Sequence, residues 1–124
     1  MTVSHTKESP YHSYIKAWKK RIIEKQKERE HLRKRAYQEA QALANILYTK
    51  YSADNVYLFG SLLERQRFNE NSDIDLAVEG LPGSIFFEAV GGLLLHTRFP
   101  LNLILLKNCP ESLREKIATT GERL

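Results

Sequence analysis

Residues 11–51 contain neither Gly nor Pro and are dense in Lys, Glu, Gln, Arg and Ala. Such residues lose little on entering a helix, so one long helix is predicted there. In its second half Ala36, Ala40, Leu43, Ala44, Leu47 and Tyr51 recur at helical spacing, an apolar face for docking on a domain. The first half carries Ile15, Trp18 and Ile22, and then eight polar residues separate Ile23 from Leu32. So small a domain offers Trp18 and Ile22 no obvious core. A partner, a second copy of the chain, or a bend folding them back would cover them. Residues 1–10 read as a frayed tail ending at Pro10.

Beyond the helix the apolar runs shorten and alternate with turn residues. Residues 56–59 read as a buried strand, 61–65 as a short helix, 66–71 as a polar loop and 73–78 as a second strand. Ser84 is a candidate N-cap for a helix over 85–97. In that helix the pair Gly91-Gly92 is expected to allow close packing on the sheet. Residues 101–106 give a third strand, and Pro110 opens a last helix that ends near Gly121. Strands alternating with helices imply an α/β (α+β) fold, a small mixed sheet with helices packed on it, preceded by the long helix. The chain divides into a tail and basic arm over 1–35 and a domain over 36–124.

Charge sharpens that division. The 124 residues carry a net charge of +4. Residues 16–35 alone hold ten Lys/Arg and three Glu, a net +7, which leaves −3 for the rest. The arm suits an anionic protein face or, less well, nucleic acid. It also suits a solvated helix, because Lys20/Glu24 and Glu30/Lys34 are spaced for helical ion pairs. No segment has the length and apolarity of a membrane span, and no secretory leader is visible, so a cytoplasmic setting is expected. Cys109 is the only cysteine and reads as a structural thiol. The histidines 5, 12, 31 and 96 lack metal-ligand spacing, and His96 reads as a helix-end residue.

The chemistry lies between residues 56 and 78. An apolar run Val56-Tyr57-Leu58-Phe59 ends in Gly60-Ser61, and the next run opens Ser72-Asp73-Ile74-Asp75-Leu76. Side chains at i and i+2 of a strand share a face, so Asp73 and Asp75 project together while Ile74 and Leu76 point into a core. Two neighbouring carboxylates repel unless a cation lies between them. A hard divalent ion such as Mg²⁺ fits, since it takes oxygen ligands and shares them with phosphates. The Gly-Ser turn lets the backbone approach a phosphate, and free N–H groups at a helix start attract one. An isolated Asp-x-Asp would read as edge-strand charges. The whole pattern in register points to a site.

These motifs resemble the nucleotidyltransferase superfamily that includes DNA polymerase beta, and within it the minimal nucleotidyltransferases of prokaryotes. The resemblance spans roughly residues 36–124, with Phe99-Pro100-Leu101-Asn102-Leu103-Ile104 and Pro110-Glu111-Ser112-Leu113-Arg114 also similar to that group. It implies a nucleotidyltransferase-like fold and Mg²⁺-dependent transfer of AMP, or another nucleoside monophosphate, from a nucleoside triphosphate, ATP foremost. Asp73 and Asp75 would hold two metal ions, and Gly60 and Ser61 would grip the β- and γ-phosphates. The family's third carboxylate falls on Asn102, which brings no charge. The family's second glycine after Gly-Ser is missing, and Arg65 stands near its place as a candidate phosphate ligand, with Arg67 nearby. Glu64, Glu79 and Glu88 are candidate replacements for the third acid. Minimal members resemble antitoxins that adenylylate a HEPN-type helical partner or silence it by binding. The expectations are therefore an enzyme acting on a partner protein, or a catalytically degenerate binding subunit that self-associates or binds its partner through the basic helix.

Overall fold

The structure, a computed structural model, describes residues 10–65 and 67–124. The expected frayed tail up to Ser9, His5 with it, and Gln66 of the expected polar loop lie outside the described residues. Helix α1, Pro10–Lys50, runs unbroken for 41 residues, a rod of about 61 Å. Pro10 at its start and Lys50 in its last turn suit the two ends of a helix. Ser52 turns left-handed at φ 56°. The Ala53 N–H then donates to the Leu47 carbonyl at 3.0 Å, six residues back, which closes the helix.

Four strands form one sheet in the order β3-β2-β1-β4. They are β1 (Asn55–Phe59), β2 (Ile74–Glu79), β3 (Leu101–Leu105) and β4 (Glu122–Arg123). β1 pairs antiparallel with β2 and β4, while β2 and β3 run parallel. A parallel neighbour needs a crossover, and α2, Phe86–Leu94, lies between β2 and β3 in the chain. α3, Glu111–Thr120, follows β3. Ala36, Ala40, Leu43 and Leu47 of α1 join Val56, Leu58, Ile74, Leu76 and Leu93 in one core. The alanines let α1 lie close to the sheet. Phe68, from the loop after β1, is fully buried, with its ring centroid 6.2 Å from that of Phe99.

Several details depart from the sequence reading. α1 does not bend back, so Trp18 stays 57% exposed and Tyr11 77% exposed. The helix expected over 85–97 is shorter because Thr97 leaves it to bond α1. Thr97 Oγ1 donates to Glu39 Oε1 at 2.7 Å, and the Arg98 N–H donates to the same oxygen. Ser84 makes no cap; a 3-10 turn, Gly83–Ile85, precedes α2 instead. Gly92 admits the hydroxyl of Tyr51 rather than the sheet, and the space beside Gly91 is open. β4 was not legible, since two residues carry no period. It pairs Tyr57 with Arg123 and Leu58 with Glu122, and Tyr37 Oη donates to Glu122 Oε1 at 2.8 Å. Cys109 is buried, and its thiol donates to the Leu105 carbonyl. Among the described residues no helix is long and apolar enough to cross a membrane.

Candidate active site

The site begins where β1 stops. At Gly60 the backbone turns left-handed, φ 81°, and residues Gly60–Leu63 form a single 3-10 turn in place of the expected short helix over 61–65. The antiparallel register sets Phe59 opposite Asp75, and the parallel register sets Asp75 beside Asn102. The Asp75 carboxylate therefore lies against Gly60, where a Cβ would run into it. Glycine is needed there twice, for the positive φ and for the carboxylate.

Asp73 precedes β2 and is exposed, whereas Asp75 is half-buried between the turn and β3. Ile74 and Leu76 are fully buried, which anchors the two carboxylates on the opposite face. Burial pushes the Asp75 carboxyl above its ordinary range. The Asn102 amide opposes that by donating from Nδ2 to Oδ1 at 3.3 Å, and the charge of Asp73 pushes it up further.

The loop between Ser61 and Asp73 is braced from within. The Glu64 N–H donates to the Ser61 carbonyl at 2.9 Å. The Asn69 N–H donates to Ser72 Oγ at 3.0 Å, and the Ser72 N–H returns a bond to the Asn69 carbonyl. Ser72 is thus a strut that sets the approach to Asp73, while Phe68 pins the loop to the core.

A cavity of about 610 Å³ opens over Gly60, Ser61, Asp73 and Asp75. Its other walls come from Glu64, Arg67, Asn71 and, on α3, Lys116 and Thr120. Lys116 and Thr120 escaped the sequence reading. One Lys on an exposed helix carries no local signal, and only the packing of α3 brings it to the cavity. Arg65 lines a neighbouring cavity with Arg33 and Lys34, while Arg67 faces the carboxylates' own cavity. Of the three alternative acids only Glu64 reaches the cavity, and it is ion-paired with Arg67 at 2.7 Å. Glu79 accepts from Asn55 at the far end of β1, and Glu88 lies on α2. Among the described residues no group of three His, Cys, Asp or Glu side chains is placed to hold a metal ion. The fit to Mg²⁺ is therefore two carboxylates backed by the neutral Asn102, a set that leaves other positions to phosphate oxygens and water.

A family model described as polymerase beta, nucleotidyltransferase matches residues 41–124. The chain belongs to that family. The match contains every wall of the cavity and leaves most of α1 outside. Among curated proteins no match is found. Solved structures share the nucleotidyltransferase fold. One, described as a toxin-antitoxin with AMP-PNP, is 24% identical, with a TM-score of 0.54 over 66% of this chain and 69% of that one. Another, the toxin-antitoxin MntA-HepT, is 22% identical, with a TM-score of 0.52 over 70% of this chain and 69% of that one. At these identities the likeness is one of fold.

Proposed function

We propose that this polymerase beta-type nucleotidyltransferase transfers AMP from ATP, with Mg²⁺, to a hydroxyl side chain of a HEPN-type helical partner, and acts as its antitoxin in the cytoplasm. The observation that carries this reading is the convergence of the Gly60-Ser61 turn, Asp73 and Asp75 in one cavity with Arg67 and Lys116 on its walls. The two solved neighbours, one holding AMP-PNP and both toxin-antitoxins, support the choice of nucleotide and partner class.

In this reading the Gly60-Ser61 backbone and the Ser61 hydroxyl hold the terminal phosphates. Arg67 and Lys116 add positive charge to the same polyanion. Asp73 and Asp75 would hold the metal, which would supply positive charge to neutralise that developing on the attacking and leaving oxygens. The acceptor oxygen bonds to the α-phosphorus, the bond to the β-phosphate oxygen breaks, and pyrophosphate leaves. The acceptor proton goes to solvent, because the amide of Asn102 offers no base.

A second reading, a binding subunit that silences its partner without chemistry, is favoured by Asn102 itself. One experiment separates the two. Incubation with α-labelled ATP, Mg²⁺ and the co-expressed HEPN-type protein should put label on that protein, and Asp73→Asn with Asp75→Asn should abolish it. A stable complex that never acquires label gives the second reading.

A further inference from the structure

Trp18 and Ala36 lie eighteen residues apart on α1, as do Ile22 and Ala40. Eighteen residues are about five turns, so each exposed residue stands directly in line with a buried one. Ala36 and Ala40 are fully buried against the domain. Tyr11, Trp18 and Ile22 are exposed, with Ile15 beside them. The stripe that docks α1 on its own domain therefore continues over residues 10–24, roughly 22 Å of helix, past the last α1 residues that line a cavity with the domain.

The stripe changes character as it nears the domain. After Ile22, the next positions on it are Lys25 and Arg29. Both line a cavity with Leu32, Asn69 and Glu70. Among the described residues the ion pairs are Glu30–Arg33 and Glu64–Arg67, and neither includes Lys25 or Arg29. Asn69 and Glu70 belong to the loop whose Arg67 and Asn71 wall the nucleotide cavity.

We infer that the projecting half of α1 is a docking surface for an acidic partner protein, whose apolar groove takes Tyr11, Ile15, Trp18 and Ile22 and whose carboxylates meet Lys25 and Arg29. Because the stripe faces the domain's side, the partner is seated against the loop carrying Arg67 and Asn71, beside the nucleotide. Charge rules against a second copy on this surface, since pairing two arms would set +7 against +7. The apolar stripe rules against nucleic acid, because phosphates would leave Trp18 and Ile22 in water. The inference rests on the proposed function only in taking the acceptor as the partner.

The probe is the HEPN-type protein of the labelling experiment, titrated into the full chain. Trp18→Ala with Ile22→Ala, and separately Lys25→Glu with Arg29→Glu, should each weaken the complex at least about tenfold. The second pair should show a reduced dependence on salt. Calorimetry with Mg²⁺ and AMP-PNP in the absence of the partner should match wild type, and circular dichroism should report α1 intact. Unchanged affinity in both pairs overturns the inference. So does Trp18-dependent dimerisation of the chain alone, or tighter binding to a DNA duplex than to the protein. If label is transferred while both variant pairs bind normally, the proposed function stands and the docking surface falls. If the variants lose a complex in which wild type transfers no label, the surface stands and the transfer falls.

Discussion

Arg33 of α1 donates from Nη1 to the carbonyl oxygen of Leu62 at 3.3 Å, inside the turn that carries Ser61. The long helix thus grips the Gly60–Leu63 turn by its backbone. Glu30 holds the same guanidinium through two further bonds, at 3.0 and 3.2 Å. Arg33→Leu should cost about 1–2 kcal/mol in urea titrations by leaving that carbonyl short of a donor. It should also weaken AMP-PNP binding. A variant with unchanged stability and affinity would make the contact incidental.

Gly60→Ala places a methyl group in the left-handed region and against the Asp75 carboxylate. The expected cost is about 1–3 kcal/mol. The displaced carboxylate should show as lost Mg²⁺-dependent nucleotide binding in calorimetry, even where the protein remains folded.

The raised Asp75 carboxyl gives stability a definite pH sign. Ionising it costs more in the folded chain than in the unfolded one. Its contribution is full below the unfolded carboxyl value and declines as pH rises through the folded one. Asp75→Asn should therefore melt above wild type at about pH 7 without metal, and level with it at about pH 3. Thermal melts at both pH values check this, and an Asn variant that melts lower at neutral pH contradicts it.

Asn102→Asp puts a third carboxylate beside Asp75 on the neighbouring strand. Without metal the added repulsion should lower the melting temperature. Mg²⁺ should then raise it by more than it raises wild type, because the new ligand is anionic. AMP transfer should rise as well. Equal Mg²⁺ responses in the two proteins would show that residue 102 does not meet the ion.

Lys116→Ala should weaken triphosphate binding about 10-fold or more while affecting AMP much less, if the ammonium meets the terminal phosphates. Competition between ATP and AMP for a fluorescent analogue measures the difference. Lys116 is exposed and, among the described residues, belongs to no ion pair, so the fold should not change.

The elements legible in advance were those with a strong local pattern. α1 has no interior Gly or Pro, and β1 and β2 are short apolar runs bounded by turn residues. Gly60, Ser61, Asp73 and Asp75 meet in space because two such runs pair antiparallel across a single loop. What escaped was set by packing between distant segments. Thr97 ends α2 early only because Glu39 is there to receive it. Arg65 and Arg67 are interchangeable in sequence, yet the loop's internal bonds turn them to different cavities. Lys116 reaches the site only through the placement of α3, and β4 exists only because β1 offers it an edge.

An uninterrupted α1 is a lever rather than a tether. A flexible linker would let a cargo gripped at Trp18 wander through a volume set by the linker's length, and its local concentration at Ser61 would fall accordingly. A continuous helix leaves no such volume to explore. Whatever the far end holds is delivered at a fixed distance and bearing from the turn that Arg33 clasps. A Gly-Gly-Ser insertion near residue 27 would keep every contact chemistry intact and destroy only that bearing. Placement alone could then be weighed against affinity as the source of the protein's selectivity.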